Sequence, residues 1–297
     1  MKVSVVLVGR NDDYGGRQVE RVNYAMNCML DTFDEVIYVD WNTDGPKTLV
    51  DDLDIKVHPE KLVIITVPPA QCEEIMGSAN YAAGQKCCEV LARNVGIRRA
   101  TGDIIIDSNT DIIPPKREFL DVLIASLRKG DMYTIAKHDV EIDVLNEMYK
   151  QTGSYLAVRD IVPLQYGVNP ISKRLIFPSL EMNLEIMSTL PVEHHHVASS
   201  LICACGDMQI AHKETWWAIK GFEESMMKRM YIDSIVQYKV ILNGGTVRAT
   251  SFPPIYHIEH ERNNAPSVQN IQQPETGTNP VTWGFSDIKF KTTYMKG

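Results

Sequence analysis

Four short runs of β-branched and aliphatic residues, at 3–8, 36–39, 62–67 and 104–106, constrain the fold more than any other feature. Each is almost wholly apolar, as a strand covered on both faces requires, and segments of helical spacing separate them. Val19, Val22, Met26, Met29 and Leu30 recur at helical intervals between the first two runs. A further helix is expected over 79–100, with Cys87, Val90, Leu91 and Val95 on its inner side and Gly102 just beyond its end. Alternation of this kind builds a parallel sheet with crossover helices. The expectation is therefore an α/β fold, Rossmann-like, with a mostly parallel central sheet and flanking helices.

After Pro114-Pro115 the pattern changes. A helix is expected near 117–128 and a strand near 132–136, followed by little regularity until about 191. A strand at 201–204, helices at 214–219 and 233–242 closed by glycines, and a strand at 247–249 complete the pattern. Beyond His260 the chain is polar, and a loose tail or wrapping arm is expected. A chain of 297 residues suffices for one large core or two fused lobes. The division expected is one domain over 1–260, with a nucleotide half at 1–115 and an acceptor half at 116–260, then a polar extension over 261–297.

Charge excludes some partners. Against 38 acidic side chains stand 30 basic ones, for a net charge of −8, and no basic stripe exists to neutralise nucleic acid or an anionic membrane. No segment approaches the ~20 apolar residues of a membrane span, and the opening apolar run is too short for a secretory core, so a cytoplasmic location is expected. The six cysteines form no CxxC pair and read as reduced core thiols. Cys203 and Cys205 would share one strand face, where a buried structural role is favoured over metal binding. His194-His195-His196 reads as a polar loop, because adjacent histidines on an extended chain point apart. A homo-oligomer is left open.

Open α/β sheets bind ligands beyond the carboxyl ends of their strands. The first run is followed by Gly9-Arg10-Asn11-Asp12-Asp13-Tyr14-Gly15-Gly16, the second by Asp40-Trp41-Asn42-Thr43-Asp44-Gly45, and the fourth by Asp107-Ser108-Asn109-Thr110-Asp111. Such a convergence of acceptors repels itself unless a cation or a donor-rich ligand lies among them. Asn109-Thr110-Asp111 is either a polar turn or a metal motif. Asp52-Leu53-Asp54 has the better D-x-D form but precedes a strand, so position separates the two. At a strand end, Asp111 offers a carboxylate to a divalent cation and Asn109 a neutral oxygen.

The stretch Ala92-Arg93-Asn94-Val95-Gly96-Ile97-Arg98-Arg99-Ala100-Thr101-Gly102-Asp103, running through Ile104–Ile106 into Asn109-Thr110-Asp111, resembles the central signature of family 2 glycosyltransferases of the GT-A fold. Val3–Val6 resembles that family's first strand, and Val39–Asp44 its nucleotide-contacting block. Gly206–Gln209 through Lys220-Gly221-Phe222-Glu223-Glu224 resembles its acceptor-side block, and Ile232-Asp233 falls where the family has Glu-Asp. Arg10–Gly16, Tyr231–Ser234 and Tyr256–His260 together resemble a further branch of family-2-like proteins. The likeness covers about residues 1–260. Two departures stand out: Asn109 replaces the first Asp of the metal motif, and Ile232 replaces the Glu.

The resemblance implies a metal-dependent glycosyltransferase, inverting, that moves a sugar from a nucleotide-sugar donor to a hydroxyl of a glycan or other acceptor. It implies Mn²⁺ or Mg²⁺ at Asp111 with His257 completing the site, and Asp233 as the general base that deprotonates the acceptor. Arg10, Asn11, Asp40, Asn42, Arg93 and Asn109 are the donor-contacting set it implies. A UDP-sugar is the default donor, since a carboxylate such as Asp40 accepts from a ring N–H. Each role has a plainer counterpart: Asp233 as a helix cap, His257 and His260 as a surface pair, Arg93 as a solvated helix residue, Trp216-Trp217 as core packing. Two other readings stay open, a sugar-nucleotide nucleotidyltransferase and a nucleotide-sugar or glycan-binding protein on an inactive transferase fold.

Overall fold

Side chains alternate along the first strand, β1 (Val3–Gly9), and so divide two cores. Val3, Val5 and Leu7 join one apolar cluster, while Val6 joins the other. The computed structural model describes residues 1–82, 87–159, 206–227, 232–261 and 279–296, without the side chains of residues 136, 251 and 252. The expected strand at 201–204, the Cys203–Cys205 pair and His194–His196 lie outside the described residues.

On the first face pack Val22, Met26, Met29 and Leu30 of α1 (Gln18–Thr32), together with Leu120 and Ile124 of α5 (Arg117–Ala125). On the second lie α2 (Pro69–Met76), α3 (Ser78–Ala82) and α4 (Glu89–Arg99), with Val90, Leu91 and Val95 inward. Gly96 lets α4 approach the sheet, since a Cβ there would overlap Val6 and press on Val39. Covered from both sides, β2 (Glu35–Trp41) is buried at every position. The helix expected over 79–100 is thus two helices. Cys88, at φ −92 and ψ 88, is not helical, and Cys87 before it faces a cleft rather than the core.

Strands β1, β2, β3 (Leu62–Val67) and β4 (Ile104–Ser108) form the parallel core expected, in the order β3-β2-β1-β4. Next to β4 the direction reverses: β7 (Met208–His212) pairs antiparallel with β4 and with β6 (Met132–Val140). Strand β8 (Val247–Ile258) runs parallel to β6, and the two-residue β5 (Ile112–Ile113) closes that edge. The chain leaves β1 towards β2 on one side, and β4 stands on the other, which opens a crevice at their carboxyl ends.

Pairing between β6 and β8 slips: Ile135 faces Thr250 but Lys137 faces Ile255, two steps along β6 against five along β8. Pro253-Pro254 lies in the slipped stretch and has no N–H to donate. Those prolines argue against a strand beyond 249, yet β8 resumes after the bulge and sets His257 opposite both Asp139 and Ile112. Helix α6 (Ile142–Thr152) fills part of the stretch expected to lack regularity; Ile142, Leu145 and Met148 form its buried stripe and Gly153 at φ 67 ends it. Helices α7 (Lys213–Ile219) and α8 (Ile232–Leu242) complete the second face. Trp216 is wholly buried, its indole donating to Ile105 O at 3.0 Å. Trp217 meets Trp283 edge to face.

The described part of the polar extension is an arm. Arg99 donates to the carbonyls of Gly284, Phe285 and Ile288, and β9 (Lys291–Tyr294) then pairs antiparallel with β3. Among the described residues no helix is long and apolar enough to cross a membrane.

Candidate functional site

A cleft of about 340 Å³ opens at the crevice, walled by the loop after β1, the start of α4, the loop after β4, and residues of β6 and β8. Arg10, Arg93, Asn109, Asp111 and His257 line it together, joined by Lys137, Asp207 and His260.

Asp111 Oδ2 is the focus of one end. His260 Nε2 lies 3.1 Å from it, His257 Nε2 3.8 Å and Arg21 Nη1 3.2 Å. Burial raises the Asp111 carboxyl, but the His260 hydrogen bond and the charges of His257, His260 and Arg21 outweigh it and hold it below the ordinary value. Asp139 Oδ1 lies 2.8 Å from His257 Nδ1, and the Glu261 carbonyl 2.9 Å from His260 Nδ1. Once an ion displaces the His260–Asp111 hydrogen bond, the acceptor beside each Nδ1 would keep a proton on that nitrogen and leave the Nε2 lone pair facing the centre of the cluster, as in ligating histidines.

The three ligand atoms lie within 4.8 Å of one another. Ligands held at about 2.1 Å from an ion stand roughly 3 to 4 Å apart; Asp111 Oδ2 lies 3.1 and 3.8 Å from the two ring nitrogens, so the donor set closes on a divalent cation with a small shift of the rings. Two ring nitrogens beside one carboxylate suit Mn²⁺ better than Mg²⁺.

The loop after β1 braces this cluster. Gly15, at φ +74, has no room for a side chain because an added Cβ would overlap the His260 ring. Tyr14 meets that ring edge to face at 5.3 Å. Arg21, buried, donates to the carbonyls of Tyr14 and Gly16 as well as to Asp111, tying the loop to the cluster.

At the other end Arg93 is buried and donates to the Asp107 carboxylate and to Asn109 Oδ1 at 2.6 Å. The Asn109 amide in turn donates to Asp207 Oδ1 at 2.7 Å, and Lys137 Nζ lies 3.0 Å from Asp207 Oδ2. Asn109 is therefore part of a polar chain and stands outside the Asp111–His257–His260 group. Burial opposes the charge on Arg93, but Asp107 and Glu89 outweigh it and the guanidinium stays ionised. Asp107, wholly enclosed, is pushed up to about 6 by burial despite Arg93.

Asp233, in the first turn of α8, is half-buried and does not line the cleft. Its carboxyl rests on Gly206, where an added Cβ would fall on it, immediately beside Asp207. Burial pushes it up to about 7; Arg93 opposes the rise, while Asp107, Asp207 and Glu89 add to it.

Asn11, Asp40 and Asn42 gather where β1 and β2 end, outside the cleft lining. Asn11 N–H donates to Thr43 Oγ1 at 3.0 Å, and that hydroxyl donates to Asp40 Oδ1 at 2.5 Å. Asp40, buried, is pushed up to about 6 by burial, partly offset by Thr43. Asn42 sits at φ 61, its side-chain oxygen accepting from Tyr81 at 3.0 Å. Arg10, which does line the cleft, is pinned between Asp12 at 2.9 Å and Asp44 at 3.2 Å.

No protein-family model matches the chain, and no curated protein matches it. Among solved structures, TarS from S. aureus aligns at 16% identity and TM-score 0.44, over 87% of this chain and 37% of that one. Its fragment 1–349 in complex with UDP-GlcNAc aligns at 15% identity and TM-score 0.43, over 88% of this chain and 59% of that one. The mannosyltransferase PcManGT from Pyrobaculum calidifontis, in complex with GDP-Man and Mn²⁺, aligns at 12% identity and TM-score 0.45, over 89% and 58%. The chain thus spans between about a third and three fifths of the length of these structures.

Proposed function

We propose that the cleft binds a nucleotide sugar through a divalent cation held by Asp111, His257 and His260, and that the protein transfers the sugar to an acceptor hydroxyl as a GT-A glycosyltransferase of the family-2 type. The observation that carries this reading is the convergence of one carboxylate and two imidazole nitrogens at the carboxyl end of the sheet, in one cleft with Arg10 and Arg93. A cation there supplies charge neutralisation for a departing diphosphate. Mn²⁺ is the ion favoured, and a UDP-sugar the donor.

Asp233 is the general base of this reading, standing at the margin of the cleft on Gly206, next to the lining residue Asp207. Its pKa of about 7 leaves it able to take a proton from an acceptor hydroxyl near neutrality, where an ordinary aspartate is too weak a base. The acceptor oxygen then forms its bond to the sugar carbon as the bond from that carbon to the diphosphate breaks, with inversion. Asp40 and Asn42 serve the nucleoside, Arg10 and Asn11 the phosphate side of the loop after β1. Arg93 fixes Asn109 and Asp207 where the sugar lies.

A panel of UDP-, GDP-, TDP- and CMP-sugars with Mn²⁺ tests the reading through release of the nucleotide. The Asp233→Asn protein is expected to bind the donor and lose transfer, and Asp111→Ala to lose metal-dependent binding. Normal transfer by Asp233→Asn removes the base assignment. If the wild-type protein neither binds nor turns over any of these donors, the reading fails. A binding protein on an inactive transferase fold is favoured by the Asn109 amide, committed to Arg93 and Asp207; it predicts metal-dependent binding without turnover in the wild-type protein.

A further inference from the structure

Between the histidine cluster and Asp207 the cleft carries a lysine that the donor-contacting set does not include. Lys137 and Asp139 stand two residues apart on β6, so their side chains leave the same face about 7 Å apart along the strand. Asp139 meets His257, and Lys137 lines the cleft with its Nζ 3.0 Å from Asp207 Oδ2. Lys137 thus lies two residues along β6 from the aspartate that meets His257.

The cations of the cleft differ in what they leave behind if they turn to a ligand. Arg93 neutralises Asp107, which is wholly buried, and drawing it away would strand that carboxylate in the core. Arg10 is held between Asp12 and Asp44. Lys137 faces Asp207, which stands on the cleft wall and keeps the Asn109 amide when the ammonium moves. An ammonium on a four-carbon stem reorients freely, unlike a guanidinium fixed by a fork of bonds.

We propose that Lys137 receives an anionic oxygen of the substrate, exchanging Asp207 for it; this rests on the reading of the cleft as a nucleotide-sugar site. Two sources carry that chemistry: a phosphate oxygen of the diphosphate, or the carboxylate of an acidic sugar. Titration calorimetry with UDP, UDP-glucose and UDP-glucuronate at fixed Mn²⁺, on wild type, Lys137→Met and Lys137→Arg, separates them. Loss of a charge-assisted contact weakens binding about tenfold or more, and arginine restores most of it. Binding of Mn²⁺ alone is expected to stay unchanged in each variant, which a folding defect would not allow. Weakening towards all three ligands assigns the phosphate, and weakening confined to UDP-glucuronate assigns the sugar carboxylate. If Lys137→Met, and Lys137→Gln as a polar alternative, bind all three as tightly as wild type, the proposal is overturned while the nucleotide-sugar reading stands. A wild-type protein that binds none of the three overturns that reading and the proposal together.

Discussion

Replacing Asp233 by asparagine should stabilise the protein above neutral pH, and the size of the gain follows from its surroundings. Burial, with Asp107, Asp207 and Glu89 adding to it against Arg93, moves the carboxyl from its ordinary 3.8 to about 7. Between those values the folded chain holds a proton that the unfolded chain has released, so stability falls as pH rises through that window. At about 1.4 kcal/mol per pH unit the cost at pH 8 is roughly 4 kcal/mol. Solvent screening of a half-buried group reduces it to about 2 kcal/mol. Asparagine carries no charge and escapes this cost. Urea unfolding of wild type and Asp233→Asn at pH 4 and pH 8 should give near-equal stabilities at the lower pH and a more stable variant at the higher. Equal or lower stability of the variant at pH 8 would refute the claim that Asp233 is held in a hostile environment, and with it the physical case for a base poised near neutrality.

Three further outcomes follow from the same geometry. Asp139→Ala removes the acceptor that orients His257 and should weaken Mn²⁺ binding about 10- to 100-fold, read by calorimetry, with little change in melting temperature. Gly15→Ala must push the His260 ring aside, so it should also lower Mn²⁺ affinity; unchanged affinity would show that His260 is no ligand. Gly96→Ala forces α4 off Val6 and Val39 and should cost about 1–3 kcal/mol in urea unfolding without altering metal affinity.

The parallel core was legible because two-faced burial leaves a local mark. Apolar runs at β1 to β4 can be read residue by residue, and Asp111 could be singled out because it follows one of them. Helix α6 carried the same kind of signal in Ile142, Leu145 and Met148, hidden among polar neighbours. The course of β8 was not legible, because Pro253-Pro254 argues against a strand and only pairing with β6 and β5 carries it past them.

The candidate site was legible where chemistry is concentrated in one loop and obscure where it depends on register. The family resemblance singled out His257 as a candidate ligand, and His260 joins it at Asp111 because Gly15 and Tyr14 hold its ring there. Asp139 and Lys137 had a faint signal, two charged residues alternating on a strand, without a partner visible in sequence. Arg21 looked like an ordinary helix residue. Asp107, beside the motif, is paired in the interior to Arg93, a partner set by the packing of α4 on β4.

The central claim is that a cation at Asp111, His257 and His260 holds the phosphates of a nucleotide. Calorimetric titration of UDP into the protein with Mn²⁺ and with EDTA, on wild type and Asp111→Ala, tests it most directly. Binding to wild type should need Mn²⁺ and be lost in Asp111→Ala. UDP binding of equal strength with and without the metal, or retained in Asp111→Ala, would contradict it.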